Sequence, residues 1–276
     1  MQDLQNKFAS IGMHHFSPSQ LNLPIANWVF DYIYLSKESR REKKVGENAA
    51  FGTSVHGAVQ AILCHGQSFE DAIDAAVMAF DFHPADESAE KREKYRDLIS
   101  PAVESGVELL SGTFGGAKEE ERVSVTLDGV AIPVIGYIDL IGDGVFCECK
   151  TKAHRMGQVK KNGERSWVKP SMPKQPEWNH LQQVAVYWKA TGFTPTMAYI
   201  SAEGSTLFTP ENCEQLQDES LEFALEQIRQ KAIIRQNLIN ISTDPKVLAG
   251  LMEPGFDHPF YWNHQFKEDA KELWKL

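Results

Sequence analysis

The chain has 276 residues, 42% hydrophobic and 24% charged, with a net charge of −10. This is enough apolar material for one large domain with its own core. No run of about eighteen uncharged apolar residues occurs, and the opening MQDLQNKFAS lacks the basic-then-apolar layout of a secretory signal. Neither a membrane span nor secretion is therefore expected, and the cytoplasm is the expected compartment.

In chain order, residues 14–36 read as a helix capped by Ser17 or Ser19, with Leu21, Ile25, Trp28, Val29 and Tyr32 on one side. Residues 37–48 read as charged and turn-like. A second helix is expected over 49–64, stopped by His65-Gly66. Two more follow over 68–81 and 86–110, the latter striped by Ile99, Val103, Val107 and Leu110. The period then changes to that of strands. Residues 121–127 and 130–141 flank the turn dipeptide Asp128-Gly129, and Gly142-Asp143-Gly144 leads into a third strand over 145–150. A loop of about 25 residues is expected next, longer than the ~12–15 residues at which loops are usually functional or disordered. A helix over 177–191, a strand over 195–201 with 205–209 as its hairpin partner, and an acidic helical stretch over 211–239 complete the reading. Helices, then meandering strands, then a helix and a strand predict an α+β or mixed α/β sandwich around one sheet. The expected organisation is a single domain over 1–276: a mainly helical part over 1–117, a sheet with its basic loop and helix over 118–209, and a helical extension over 210–276.

Charge is unevenly spread. Between Lys150 and Lys174 lie Lys152, Arg155, Lys160, Lys161, Arg165 and Lys169, against the single acid Glu164, a local charge of +7 beside −17 elsewhere. A basic strip on an acidic body suits a focused anionic ligand. The four cysteines include one close pair, Cys147 and Cys149, whose C-x-C spacing around Glu148 predicts two small buried side chains on the face opposite Glu148. Neither zinc nor iron–sulfur ligation is suggested by this set, nor disulfides.

The densest chemistry is Gly136-Tyr137-Ile138-Asp139, then eight intervening residues, then Glu148-Cys149-Lys150. Residues two apart share a strand face, so Glu148 and Lys150 project together, and the tight turn lets Asp139 meet them from the neighbouring strand. Two carboxylates suit a hard divalent cation. Such a cation acidifies water and neutralises charge on a phosphate, while a lysine orients the water or stabilises the transition state.

With these residues the sequence resembles the RecB-type and phage-exonuclease branch of the PD-(D/E)XK nuclease superfamily. The resemblance is carried by Gly52-Thr53-Ser54-Val55-His56, Gly136-Tyr137-Ile138-Asp139, Glu148-Cys149-Lys150-Thr151 and Gln183-Val184-Ala185-Val186-Tyr187, preceded by Phe16-Ser17-Pro18-Ser19-Gln20-Leu21. It spans residues 16–187, about two thirds of the chain. It implies a restriction-endonuclease-like core, a central mixed β-sheet flanked by helices with an N-terminal helical region. It implies His56, Asp139, Glu148 and the Cys149 backbone carbonyl as ligands of Mg2+ or Mn2+, and Lys150 as the catalytic lysine. Gln183 and Tyr187 would line the site. Lys152, Arg155, Lys160, Lys161, Arg165, Lys169 and Lys174 would hold DNA phosphates, with Trp167 and Trp178 as candidates for base stacking. Glu121, His180 and Gln182 lie near these motifs without an assigned role.

The implied activity is a metal-dependent deoxyribonuclease, an exonuclease of recombination or repair. The alternatives are a structure-specific or nicking endonuclease with the same site, or a nucleic-acid-binding subunit that has lost cleavage. The implied partner is DNA with a free end, and a homo-oligomer or a recombination partner protein is compatible with it; a phage-encoded protein would act in the host cytoplasm. The family's proline before the aspartate is replaced by Ile138, the cysteines that hold an iron–sulfur cluster in some members are missing, and no phosphate-binding Walker loop is present, so neither a cluster nor a nucleotide cofactor is expected.

Overall fold

The computed structural model describes residues 1–42, 46–83, 89–159, 161, 165–254 and 265–275. The chain divides into two units, each assembled from segments distant in sequence. One comprises Met1–Lys43, Val123–Gly136 and Glu222–Leu276; the other comprises Lys44–Arg122 and Tyr137–Leu221. Among the described residues, no helix is long and apolar enough to cross a membrane.

In the first unit, α1 (Gln2–Ser10) precedes a helical region that the sequence reading treated as continuous. The structure corrects this to three pieces. Ser17 caps α2 (Pro18–Leu21) in a full capping box with Gln20, α3 (Ile25–Val29) restarts after Pro24, and Phe30–Tyr34 widens into a π turn. The break is physical: Pro24 has no N–H to continue α2. Residues 37–41, expected as a turn, form α4 (Lys37–Arg41), because Ser36 accepts the Ser39 N–H at its start. Phe8 meets Phe16 edge-on and Phe16 meets Trp28 at a tilt, all three buried, and Arg235 of α9 (Asp218–Ile241) lies 5.6 Å over the Trp28 ring. Two short helices follow, α10 (Pro245–Ala249) and α11 (Lys267–Trp274).

The second unit holds the long helices α5 (Glu47–His65), α6 (Phe69–Phe82) and α7 (Ala89–Phe114). Gly66, in the left-handed conformation, ends α5, and Ser68 caps α6 through the Asp71 N–H. Their apolar residues pack on Leu140, Cys147, Cys149, Ala198 and Ile200. The sheet has the order β1-β2-β3-β6-β7, from β1 (Lys118–Val125), β2 (Val134–Ile141), β3 (Val145–Thr151), β6 (Thr194–Ser201) and β7 (Gly204–Phe208). β2 pairs antiparallel with β3, β3 parallel with β6, and β6 antiparallel with β7. The sheet is therefore mixed, and with the helices packed on it the architecture is α+β. The parallel step from β3 to β6 carries α8 (Trp178–Thr191) in its crossover.

The stretch after β3 was expected to be an irregular basic loop. It contains a two-stranded hairpin, β4 (Arg155–Val159) with β5 (Arg165–Val168). Its strands are too short and polar to signal themselves by period. What holds the hairpin is tertiary: Trp167 packs 6.3 Å from Tyr95, His154 bonds Glu203 at 2.9 Å, and Lys169 bonds the other oxygen of Glu203 at 2.5 Å.

Gly52 shows how tightly α5 is set on β3. A Cβ there would lie 2.8 Å from the Thr151 Oγ1. We expect Gly52→Ala to cost about 1–3 kcal/mol by overpacking, read as a lower urea midpoint. Adding Thr151→Ala should return most of the loss; a double variant no better than Gly52→Ala would show that the close approach is not the cause.

Candidate active site

Register brings the two acids together. Leu140 pairs with Cys147 and Ile141 with Phe146, so the next position places Asp139 opposite Glu148. There the strands part. The Cys149 N–H donates not to a β2 carbonyl but to the Asp139 carboxylate, Oδ2, at 2.7 Å. One carboxylate thus enters the fork between β2 and β3 and satisfies a backbone group that the sheet would otherwise have bonded.

Alternation along β3 then sorts the remaining side chains. Cys147 and Cys149 are buried among the α5 and α7 residues, as expected, with their sulfurs 3.8 Å apart. Glu148 and Lys150 project the other way, toward α8. The Lys150 ammonium donates to Glu148 Oε1 and, at 3.3 Å, to Gln183 Oε1. The Gln183 amide donates at 2.7 Å to the Tyr187 hydroxyl, which is also bonded to the Tyr137 backbone. Gln183 and Tyr187, one turn apart on α8, therefore form a relay that fixes the direction of Lys150.

Glu148 is only 1% exposed. Burial, reinforced by the neighbouring Asp139, pushes its carboxyl up to about 8 against the opposing pull of Lys150. For Lys150, burial works against the ammonium, and Glu148 and Asp139 outweigh it, so its pKa rises. Burial drives the Tyr187 phenol upward as well, which leaves it a neutral hydroxyl.

On the α5 side, His56, Gln60, Asp139 and Cys149 line one small cavity. Burial lowers the His56 pKa, with Asp139 opposing, so the imidazole is neutral and carries a lone pair. Gln60, one turn beyond His56, donates to the Asp139 backbone carbonyl at 2.9 Å. The sequence reading missed Gln60, although its i+4 spacing from His56 was the available signal. A second polar cluster flanks the site. The Tyr199 hydroxyl accepts the Glu177 N–H at 2.9 Å and bonds His180 Nδ1 at 2.9 Å. Burial and Lys150 together drop His180 to about 4.

Other sequence candidates are distributed differently. Lys152 pairs with Glu177 and lies 5.4 Å over the Tyr199 ring, and Lys169 is held by Glu203. Both cations are thus engaged within the protein. Arg155, Lys161, Arg165 and Lys174 are exposed. Arg165 donates to the Met156 sulfur at 3.6 Å. Lys160 lies outside the described residues. Trp167 is half-buried against Tyr95, whereas Trp178 is 39% exposed at the start of α8. Glu121 is exposed and lines a different cleft, with Gly142 and Asp143.

Two atoms of this cluster, His56 Nε2 and Glu148 Oε2, are buried without a hydrogen-bond partner. Buried polar atoms are nearly always satisfied; His56 offers a lone pair, and the Glu148 carboxyl becomes an electron-pair donor of the kind that binds a divalent cation once it gives up its proton. The donor chemistry therefore fits a metal. Among the described residues, however, no three His, Cys, Asp or Glu side chains already converge as a metal-holding group. The Lys150 ammonium is bonded to Glu148 Oε1.

No family model, curated protein or solved structure matches this chain.

Proposed function

We propose that the protein is a Mg2+- or Mn2+-dependent deoxyribonuclease built on a restriction-endonuclease-like core, and that it hydrolyses phosphodiester bonds from a free DNA end. The observation that carries this reading is the fork at β2 and β3. There Asp139, Glu148 and Lys150 meet a neutral His56 approached from another helix, with two buried donor atoms lacking partners.

His56, Asp139, Glu148 and the Cys149 carbonyl would hold the cation, which would neutralise charge on the scissile phosphate and acidify a water. Lys150, released from Glu148, would orient that water or stabilise the charge that develops on phosphate oxygens. Gln183 and Tyr187 keep the lysine aimed. The exposed cations Arg155, Lys161, Arg165 and Lys174, with Lys160 of the same basic segment, would hold backbone phosphates, whereas Lys152 and Lys169 are held by Glu177 and Glu203. An endonuclease with the same residues is the second reading, favoured by the fact that nothing at the fork itself demands a strand end.

The test is hydrolysis of end-labelled linear DNA and covalently closed circles, single- and double-stranded, with Mg2+, Mn2+ or EDTA. Metal-dependent loss of linear DNA with circles spared supports the exonuclease, and cut circles move the reading to an endonuclease. A folded protein that leaves every substrate intact sinks both. Tyr187→Phe removes the hydroxyl that holds Gln183 and should lower the cleavage rate about 10- to 100-fold, as loss of supporting hydrogen bonds around a metal site typically does. DNA affinity in EDTA should stay unchanged, and a parallel loss of affinity would place Tyr187 in substrate binding instead.

A further inference from the structure

The first unit contains a cavity of about 180 Å3 that the proposed nuclease site does not use. It is lined by His14, His15, Gln20, Tyr32, Lys37 and Arg40, together with the backbone around Gly12. Among the described residues no aspartate or glutamate lines it, in a chain where 38 acids outnumber 28 lysines and arginines.

Its side chains offer donors. Lys37 and Arg40 take part in no ion pair among the described residues, while the Arg40 guanidinium is steadied 5.1 Å over the Tyr32 ring. Burial raises the Tyr32 pKa, so its hydroxyl stays protonated. Gln20 is only 5% exposed, and its Oε1 already accepts the Ser17 N–H at 3.2 Å. What Gln20 has left to offer is its amide NH2, a donor. A buried amide, a guanidinium, an ammonium and a phenol on residues that line one small space call for a ligand made of acceptors. The volume lies below the roughly 300–1,000 Å3 of pockets for drug-sized ligands. It therefore suits a small polyanion or the charged end of a larger molecule.

We propose that this cavity is a phosphomonoester-binding site. Arg40 grips two phosphate oxygens through its planar fork. Lys37 supplies a point charge, and Gln20 and Tyr32 donate to the remaining oxygen. The phosphate belongs either to a free nucleoside monophosphate or to the 5′ terminus of a nucleic acid.

The experiment is calorimetric titration in EDTA, which removes divalent cations from the proposed catalytic site. The probes are inorganic phosphate, a deoxynucleoside 5′-monophosphate, and one oligonucleotide with and without its 5′-phosphate. The expected result is saturable 1:1 binding of phosphate-bearing probes, weakened at least tenfold in Arg40→Ala and in Lys37→Ala. Arg40→Lys should recover only part of the affinity, because it keeps the charge and loses the fork. Lys37 is exposed, so its variant keeps the test decisive if Arg40→Ala misfolds. Tighter binding of the 5′-phosphorylated oligonucleotide than of the mononucleotide assigns the site to a nucleic-acid end; equal binding assigns it to the free nucleotide. Absence of saturable phosphate binding overturns the proposal, as does equal affinity in Lys37→Ala and wild type, or an oligonucleotide bound equally well without its phosphate. None of these results bears on cleavage at the β2–β3 fork.

Discussion

Lys150→Ala should abolish metal-dependent cleavage while leaving metal binding intact or stronger. In the metal-free protein the ammonium occupies one oxygen of Glu148, a carboxylate 1% exposed. Removing it takes away the group proposed to stabilise the transition state, and loss of one such group typically costs roughly 10²–10³-fold in rate. It also takes away the cation that would compete with the proposed Mn2+ for Glu148. The folded state should survive, because without Lys150 the Glu148 carboxyl holds a proton more firmly and no bare charge is left inside. The measurements are cleavage rate and the Mn2+-induced rise in Tm, made on the same preparation. A variant that cuts at the wild-type rate would remove Lys150 from the chemistry. One that loses both cleavage and the Mn2+ response would make the lysine part of the site's structure.

The second large effect is on pH. Burial and the nearby Asp139 raise Glu148 from the ordinary glutamate value of 4.5 to about 8. The folded protein therefore keeps a proton that the unfolded chain releases between those limits. In EDTA this contribution to stability is complete below about pH 4.5 and is lost as pH rises through about 8. A cation must displace the same proton, so apparent Mn2+ affinity should fall by up to about tenfold for each pH unit below about 8 and level off above it. Glu148→Gln has no proton to displace and should lose the Mn2+-dependent rise in Tm at every pH. Asp139→Asn should lose that rise too and additionally weaken the fork, since an amide is a poorer acceptor for the Cys149 N–H. Mn2+ affinity in wild type that does not vary between pH 6 and 8 would show that Glu148 is not a ligand.

Much of the candidate site was legible because its spacing is local. Asp139, Glu148 and Lys150 lie on two strands joined by Gly142-Asp143-Gly144, and a two-residue period on adjacent strands leaves few ways to arrange them. Gln183 and Tyr187 were legible for the same reason, being one helical turn apart. Among the long helices, α7 announced itself by the stripe of Ile99, Val103, Val107 and Leu110, and α5 by His65-Gly66 at its end.

What the sequence by itself determined was thus whatever depends on neighbours along the chain: helix periods, strand alternation, the Ser17 cap and the acid–lysine spacing. The tertiary structure decided everything that needs a partner far away. The hairpin β4–β5 exists because Trp167 finds Tyr95 and because Glu203 ties down His154 and Lys169, none of which its own polar sequence signals. Lys152 and Lys169, two of the cations in the basic strip, are spoken for by Glu177 and Glu203. Gln60 reaches Asp139 across 79 residues of sequence. The first unit gathers residues 123–136 between two distant terminal segments, a division that no change of composition marks. Local periodicity reports which face of an element is apolar, but not which distant face will cover it, because that choice is made by packing and by the pairing of buried charges.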